Sequence, residues 1–353
     1  MKIALVHDDL VQWGGAERVL LALSELFPDA PIYTSVFDQE NKMLKQNFAN
    51  KKITTSFLQR IPGWKNLYKV LLPLYPLAFE QLDFSGFDVV ISQTTRFAKA
   101  IVTKPETLHI CYCHTPPRFL WNFSGEKVPQ ILQPLFNYLR YYDQISSKRV
   151  DMWIAGSKNV QERIKKIYGV PSKIIYPFID LSRFENVTSF KGDYLLVISR
   201  LNAYKRVDLA IAAANKLKIP LKIVGTGPKL EELQQVVGST VEFVGTVDEK
   251  LLTMLLAGCK ALIIAGEEDF GLTSLEAQAL GKPVVAFKKG GALETVVEHE
   301  TGYFFEEQTV ESLIEALQNL DKRGYNQKRC LLQAQQFPKK KFMREFRNFI
   351  QSL

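Results

Sequence analysis

Residues 194–287 alternate short apolar runs with helical stretches of about ten residues, and this alternation constrains the fold more than any other feature of the chain. Each apolar run has the length of a strand and ends at a glycine-bearing or charged turn. Strands that alternate with helices form right-handed βαβ units and a parallel sheet. The pattern predicts a doubly wound α/β sheet with strands at Tyr194–Ser199, Leu221–Val224, Val241–Val244, Ala261–Ala265 and Pro283–Phe287, and helices at Val207–Leu217, Lys229–Val237, Glu249–Gly258, Ser274–Leu280 and Val310–Leu320.

The first half begins in the same way, with a strand, a glycine-bearing loop and an amphipathic helix. The predicted elements are strands at Ile3–His7, Val89–Ser92, His109–Cys113 and Met152–Ala155, and a helix at Ala16–Leu26. A chain of 353 residues exceeds the roughly 250–300 residues that one core organises. We therefore expect two Rossmann-like domains that face a cleft, at 1–178 and 179–335, and a terminal helix at 336–353 that packs back on the first domain.

The composition is that of an ordinary globular protein, with 46% hydrophobic and 23% charged residues, which excludes disordered and fibrous classes. The apolar stretch at the N-terminus reaches the acids Asp8 and Asp9 too early for a signal peptide. Four cysteines do not resemble a disulfide framework. These features predict a cytoplasmic protein.

The net charge is +8, and the basic excess lies in residues 1–180, with 22 Lys and Arg against 16 Asp and Glu. Within that half, the segment Phe57–Leu72 alternates cations with large apolar side chains, as do segments that lie on anionic membranes. The segment predicts peripheral attachment to the inner face of a membrane, and an ordinary surface helix is the alternative. The basic residues are dispersed and carry no recognition motif, so no nucleic-acid partner is expected.

Two cations follow the first strand of the second half. Arg200 and Lys205 lie five residues apart on one loop. Ligands of doubly wound sheets bind beyond the carboxyl ends of the strands, and a guanidinium with an ammonium can hold one diphosphate. The pair predicts a phosphate site, and a solvated basic loop is the alternative.

Two acids, Glu268 and Glu276, flank a strand-to-helix turn. Carboxylates accept hydrogen bonds and sugar hydroxyls donate them. Between the acids, the backbone N–H groups of Phe270, Gly271 and Leu272 open a helix, where such groups attract anions and hydroxyl oxygens. The segment predicts a saccharide site, and the attraction between an acid and a helix N-terminus is the alternative explanation of Glu276.

Glycines mark two further turns. Gly14 and Gly15 precede a helix, so backbone N–H groups can approach a phosphate closely there. Neither this turn nor the glycine-containing segment 225–228 has the G-x-G-x-x-G spacing of dinucleotide-binding folds, which disfavours NAD.

The segment 111–116 contains two cysteines and a histidine. Zinc would need further ligands at matching spacings, and the sequence contains none. We predict no metal here. Instead, Cys111 and Cys113 would be buried on one face of a strand that ends at His114, a functional side chain.

Taken in order, these motifs resemble the retaining glycosyltransferases of family 4, which have the GT-B fold. The second half contributes Ser199-Arg200-Leu201 with Lys205, the segments 224–228 and 241–247, and the E-x7-E spacing in EDFGLTSLE. The first half contributes GGAER at 14–18 and CYCHTP at 111–116, which resemble the mannosyltransferase branch that builds O-antigen and other surface polysaccharides. Thr226 departs from the family, where an acid is frequent, and leaves the donor preference open.

The resemblance implies roles for the acids. Glu268, together with the backbone of Phe270, Gly271 and Leu272, would bind the hydroxyls of the donor sugar. Glu276 would bind the ribose of the nucleotide.

The remaining implied roles concern the diphosphate, the base and the transferred sugar. Arg200 and Lys205 would clamp the pyrophosphate, which Gly15 approaches from the first domain. Val247 would border the base. His114 would support the transition state near the transferred sugar without a covalent bond.

The expected reaction is transfer of a hexosyl group from a nucleotide-diphosphate sugar, with GDP-mannose as one candidate, to a lipid-linked or growing glycan. No metal and no cofactor besides the donor are implied. A sugar-nucleotide epimerase or a phosphorylase on a related scaffold, and a non-catalytic subunit that binds a sugar nucleotide, are the alternatives.

Overall fold

The computed structural model describes residues 1–67, 70–121, 123, 125, 128–190 and 192–353. The chain divides into two compact units. Unit 1 comprises Met1–Phe123, Lys127–Tyr176 and Phe342–Leu353, and unit 2 comprises Ser124–Glu126 and Pro177–Lys341.

Unit 1 is built on a seven-stranded parallel sheet. Its strands are β1 (Ile3–His7), β2 (Ile32–Thr34), β3 (Ile53–Thr55), β4 (Val89–Thr94), β5 (Leu108–Cys113), β6 (Met152–Ala155) and β7 (Lys173–Ile174), in the order β3-β2-β1-β4-β5-β6-β7. Every residue of β1 and β4 is buried. Such strands need no alternation of apolar and polar residues because both of their faces are covered.

The helices of unit 1 are α1 (Gly15–Leu26), α2 (Lys42–Asn47), α3 (Trp64–Leu67), α4 (Tyr75–Glu80), α5 (Gln133–Ser147) and α6 (Lys158–Tyr168). Short 3₁₀ turns lie at Phe57–Arg60, Leu72–Leu74, Ala98–Ala100 and Gln130–Leu132.

Unit 2 is built on a six-stranded parallel sheet. Its strands are β8 (Leu195–Ile198), β9 (Leu221–Val224), β10 (Val241–Gly245), β11 (Ala261–Ile264), β12 (Val284–Phe287) and β13 (Gly302–Phe305), in the order β10-β9-β8-β11-β12-β13. Its helices are α7 (Val207–Leu217), α8 (Leu230–Gln234), α9 (Glu249–Gly258), α10 (Leu272–Ala279), α11 (Ala292–Thr295), α12 (Val310–Arg323) and α13 (Gln327–Ala334), with 3₁₀ turns at Leu181–Phe184 and Ala203–Lys205. The two sheets confirm the predicted pair of doubly wound parallel α/β folds.

The predicted helix at Lys229–Val237 is shorter in the structure, where α8 spans Leu230–Gln234. A tertiary contact accounts for the difference. The backbone N–H of Gly238 donates to Asn215 Oδ1 at 3.0 Å, and a Cβ at position 238 would lie 2.5 Å from that oxygen. The segment after Gln234 therefore runs close to the end of α7 and leaves the helix.

The final helix, α14 (Lys339–Gln351), buries aromatic side chains at a helical spacing. Its part from Phe342 onward belongs to unit 1, where Phe342 and Phe346 lie 6.0 and 6.3 Å from Tyr112 between ring centroids. Phe346 also lies 6.4 Å from Phe27. Aromatic packing thus covers the apolar face of α14.

All four cysteines are buried, as predicted for Cys111 and Cys113. Among the residues that the structure describes, no helix has both the length and the apolar character needed to cross a membrane.

Candidate active site

Close backbone packing joins two loops at the carboxyl edge of the sheet in unit 2. Gly266 follows β11, and a Cβ at this position would lie 2.3 Å from Tyr204 O and 2.7 Å from Lys205 Cα. Separations this short exclude every side chain, so only glycine fits. The loop after β8, which carries Lys205, is therefore held against the loop after β11.

This packing places Lys205 beside Glu268. Lys205 Nζ lies 2.5 Å from Glu268 Oε1, and the two side chains are 15% and 19% exposed. They line a small concavity together with Ser199 and Gly266. Charges that are largely removed from water interact more strongly than on an open surface. The structure thus brings together one predicted phosphate ligand and one predicted sugar ligand.

A glycine turn after β12 supports the loop of Glu268. The backbone N–H of Gly291 donates to Glu268 O at 2.9 Å, and a Cβ at position 291 would lie 2.2 Å from Phe270 Cα. No role of Gly291 was predicted from the sequence. Its position shows that the glycine is required for the close approach of these two loops.

Helix α10 begins at Leu272, two residues before the predicted start at Ser274. Gly271 caps the helix with φ of +94°, a left-handed conformation that favours glycine, and Leu272 is the first helical residue. Phe270 is buried, and its ring centroid lies 5.3 Å from that of Phe337. Gly271 and Leu272 thus lie at the start of the helix, where backbone N–H groups can meet an anion or a hydroxyl oxygen.

Glu276 lies in the second turn of α10 and is buried. Its Oε1 accepts from Arg183 Nη1 at 2.8 Å, and Arg183 Nε lies 3.4 Å from Glu249 Oε2. No role of Arg183 was predicted from the sequence. A buried carboxylate requires a partner, but nothing local in the sequence identifies which cation supplies it.

Arg200 and Val247 are placed differently. Arg200 is exposed, and no ion pair to it is found within the part of the chain that the structure describes. Val247 is half-buried against the core of unit 2 that contains Leu262 and Val284. Among the described residues, Arg200 therefore takes no part in the ion pair between Lys205 and Glu268.

In unit 1, Gly15 is the first residue of α1, and Gly14 before it is in an extended conformation. A Cβ at position 14 would lie 3.1 Å from Glu17 Oε2. Glu17 Oε1 in turn lies 3.7 Å from Nε2 of the buried His7. Burial alone lowers the pKa of His7, but the hydrogen bond and charge of Glu17 outweigh it and raise the pKa above the usual value.

His114 directly follows β5 and is half-buried. Its ring lies 5.0 Å from that of Tyr112 between centroids, and its Nε2 lies 3.3 Å from the side-chain amide of Gln93. The strand β5 therefore ends at Cys113, directly before His114, and residues 109–113 are all buried.

Two acids after β1 form a cluster that the sequence analysis missed. Asp8 accepts hydrogen bonds from the backbone N–H groups of residues 95–98, and Asp9 pairs with Arg96. Burial would raise the pKa of Asp8, but Arg96 and the N–H donors lower it overall. Burial raises the pKa of Asp9 despite Arg96. The sequence feature that could have identified this cluster is the position of both acids at the carboxyl end of the first strand.

Among the described residues, no group of three or more His, Cys, Asp or Glu side chains is arranged to hold a metal ion. The site in unit 2 consists of a cation, two acids and a helix N-terminus. Such a set can bind a diphosphate and neutral hydroxyls.

Known protein families match both halves of the chain. The family described as Glycosyltransferase Family 4 matches residues 13–183, and the family Glycosyl transferases group 1 matches residues 178–336. Together the two matches span nearly the whole chain.

Curated relatives are similar over most of their length. The alpha-1,3/1,6-mannosyltransferase ALG2 of Dictyostelium discoideum is 25% identical, and the match covers 100% of this chain and 97% of the relative. The protein of the same name in Schizosaccharomyces pombe is 24% identical over 86% of this chain and 70% of the relative.

Solved structures show the same fold at lower identity. HepE of Anabaena, in complex with UDP and glucose, has a TM-score of 0.74 at 18% identity and covers 100% of both chains. Sucrose-phosphate synthase of Thermosynechococcus elongatus has a TM-score of 0.75 at 16% identity, with 100% of this chain and 99% of that chain covered. These similarities establish a GT-B fold.

Proposed function

Because this chain belongs to the family 4 glycosyltransferases, as the two family matches over residues 13–336 establish, we propose that it transfers a hexosyl group from a nucleotide-diphosphate sugar to a lipid-linked or growing glycan. The names of the curated relatives favour a mannosyl group, and GDP-mannose is the first donor to test. The observation that carries the proposal is the pairing of Lys205 with Glu268 at the carboxyl edge of unit 2.

The proposed reaction retains the configuration of the transferred sugar. The bond between the anomeric carbon and the diphosphate oxygen breaks, and its electron pair stays on the diphosphate. The acceptor hydroxyl forms the new bond on the same face, and its proton passes to the departing phosphate oxygen. The negative charge that develops on this leaving group must be stabilised.

Lys205 is suited to that task because its ammonium is largely shielded from water, where a charge interacts strongly with a phosphate. Arg200 is exposed on the same loop and would contribute its planar fork of donors when the donor is bound. Glu268 would then exchange part of its contact with Lys205 for the hydroxyls of the sugar, aided by the N-terminus of α10.

The other roles follow the family resemblance. Glu276, held by Arg183, would bind the ribose. Val247 would border the base. Gly15 and His114 of unit 1 would serve the same donor, at its phosphates and at the transferred sugar respectively. No metal ion takes part in this proposal.

The experiment that tests the proposal is an assay for nucleotide diphosphate released from candidate donors in the presence of a glycan acceptor. We expect Lys205→Ala and Glu268→Ala each to lower turnover by at least about 100-fold, the usual cost of a lost transition-state contact. Lys222 and Glu242 offer a matched control, since they form an exposed pair in the same unit at 2.7 Å. Alanine at either of these positions should leave turnover unchanged.

Near-normal turnover of either site variant would contradict the assigned site. An epimerase would interconvert the donor without acceptor-dependent release of nucleotide, and a phosphorylase would require inorganic phosphate. The anomeric configuration of the product, read by NMR, decides whether the reaction retains configuration.

We also propose that unit 1 lies on an anionic membrane. The predicted segment Phe57–Leu72 is not one helix, and Tyr68 and Lys69 within it lie outside the described residues. Leu58 and Trp64 are buried in the core. Their burial agrees with the alternative interpretation, in which the segment is an ordinary surface element that covers the core. Four large apolar side chains in and just after the segment are nevertheless exposed: Leu67, Val70, Leu74 and Leu77.

The membrane proposal is tested by sedimentation with vesicles. Binding should be weak, stronger to vesicles with anionic lipid than to neutral ones, and abolished by Val70→Glu with Leu74→Glu. Met254→Glu is a matched control because Met254 is an exposed apolar residue of unit 2. Equal recovery with neutral and anionic vesicles would remove the proposal.

A further inference from the structure

The side chain of Gln93 connects His114 to the first turns of α1. Gln93 is the fifth residue of β4 and is buried. Its amide lies within hydrogen-bond distance of Ala16 O, of Leu20 N and of His114 Nε2. These three neighbours decide how the amide is oriented.

The two backbone neighbours have fixed roles. A carbonyl oxygen can only accept a hydrogen bond, and a backbone N–H can only donate one. The amide nitrogen of Gln93 must therefore face Ala16 O, at 3.2 Å, and its oxygen must face Leu20 N, at 3.1 Å. In this orientation, the amide nitrogen also lies 3.3 Å from His114 Nε2.

An imidazole nitrogen that faces an N–H donor must accept. The partner of one ring nitrogen decides which of the two carries the proton. We propose that Gln93 is a positioning residue that holds His114 as the neutral tautomer with its proton on Nδ1. This inference rests on the proposed function, in which His114 lies near the transferred sugar.

The tautomer determines what His114 can contribute. With Nε2 engaged as an acceptor, the ring is uncharged and carries its proton on Nδ1. It can then act through a hydrogen bond from Nδ1, but not as a cation or as a general acid. Because the same amide also binds Ala16, the residue after Gly15, the orientation of His114 depends on the start of α1.

The tautomer can be read directly from long-range ¹⁵N–¹H correlation spectra of the ligand-free protein. The chain has four histidines, and a His114→Asn variant identifies the signals of this one. We expect the pattern of a neutral ring protonated at Nδ1. The pattern of a ring protonated at Nε2, or at both nitrogens, at neutral pH would overturn the inference.

A substitution tests the role of Gln93 itself. In Gln93→Glu, the carboxylate can only accept, so His114 should carry a proton on Nε2, and kcat should fall by about 100-fold while KM for the donor changes little. Gln161→Glu is a matched control, because the amide of Gln161 also donates to a backbone oxygen in unit 1, Ser172 O. It should alter neither the spectrum of His114 nor kcat.

The results separate the inference from the proposed function. An unchanged His114 spectrum or unchanged kcat in a folded Gln93→Glu variant would overturn the positioning role. If this variant does not fold, the spectrum of the unmodified protein still decides the tautomer. Failure of the proposed function would appear separately, as the absence of acceptor-dependent nucleotide release by the unmodified protein.

Discussion

The ion pair between Lys99 and Asp143 is fully buried in unit 1, with both side chains at 0% exposure. Lys99 Nζ also donates to Arg96 O at 2.8 Å. The other carboxylate oxygen of Asp143 accepts from Trp121 Nε1 at 2.8 Å and from the Tyr168 hydroxyl at 2.9 Å. Among the described residues, Asp143 therefore accepts from one charged donor and two neutral ones. We predict that replacing the charged donor, by Lys99→Met, destabilises unit 1 strongly.

The expected loss of stability follows from the state of Asp143 in the Lys99→Met variant. Methionine fills much of the volume of lysine, so the main change is a buried carboxylate without a counter-charge. Breaking a buried pair from one side costs about 3–5 kcal/mol, a large share of the roughly 5–15 kcal/mol that stabilise a typical protein. Lys99→Met with Asp143→Asn removes both charges but keeps an acceptor oxygen for Trp121 and Tyr168. The double variant should be at least about 2 kcal/mol more stable than the sum of the single losses predicts.

The assay is denaturant unfolding followed by tryptophan fluorescence. All four tryptophans of the chain, at positions 13, 64, 121 and 153, belong to unit 1. The signal therefore reports the unfolding of that unit. Lys65→Met is the control, because Lys65 pairs with acids at the surface, and exposed pairs contribute little. Its unfolding midpoint should not move.

A loss below about 1 kcal/mol for Lys99→Met would refute the reasoning, since a desolvated carboxylate that loses its charged partner should cost more free energy than that. Strict additivity in the double variant would also refute it, because the two substitutions would then act independently.

Two further predictions concern Arg183 and His109. Arg183→Met should raise KM for the donor about tenfold or more with little change in kcat. The substitution leaves the buried Glu276 without the cation that holds it, and under the proposed function Glu276 would bind the ribose, which does not react. A loss in kcat alone would contradict this role. Burial lowers the pKa of His109 to about 4. The unfolded chain, with a pKa near 6.5, then binds more protons as pH falls, so stability decreases below pH 6.5. Between pH 7 and pH 5, the free energy of unfolding of the unmodified protein should fall by about 2 kcal/mol more than that of His109→Gln. Tryptophan fluorescence measures both values, and equal decreases would show that His109 is not buried as a neutral ring.

Long apolar runs made most of the fold predictable from the sequence. Val207–Leu217 and Glu249–Gly258 were predicted with the bounds that the structure has. Short elements were missed, since β2 and β3 have three residues each and β7 has two. A window this short shows no periodicity that separates a strand from a loop.

The strand β13 was missed for a different reason. It begins at Gly302, a residue that usually argues against a strand. In the structure, a Cβ at position 302 would lie 1.9 Å from Val284 O on the neighbouring strand. The glycine is required by close backbone approach, which depends on a neighbour that the local sequence does not reveal.

Within the candidate site, the sequence placed charged residues on the correct edge but could not pair them. Lys205 and Glu268 were predicted to lie at the same edge because each follows the carboxyl end of a strand in one parallel sheet. Their contact depends on the packing of Gly266. The partner of Glu276 lies 93 residues away, at Arg183, and no local pattern encodes such a distance. Side chains that act through tertiary contacts therefore need the structure.

The glycines at the carboxyl edge of unit 2 allow close packing of the backbone. A Cβ at Gly225 would lie 2.0 Å from Ser199 O, and one at Gly227 would lie 2.6 Å from Leu201 N. Together with Gly266, these glycines are fully explained by backbone packing, without any ligand. A glycine-rich edge is thus no evidence for phosphate binding in this chain. The shielded pair of Lys205 and Glu268 is different, because backbone packing does not require a cation and an acid at these positions. Under the proposed function, the cation would bind the diphosphate and the acid would accept from the hydroxyls of the sugar.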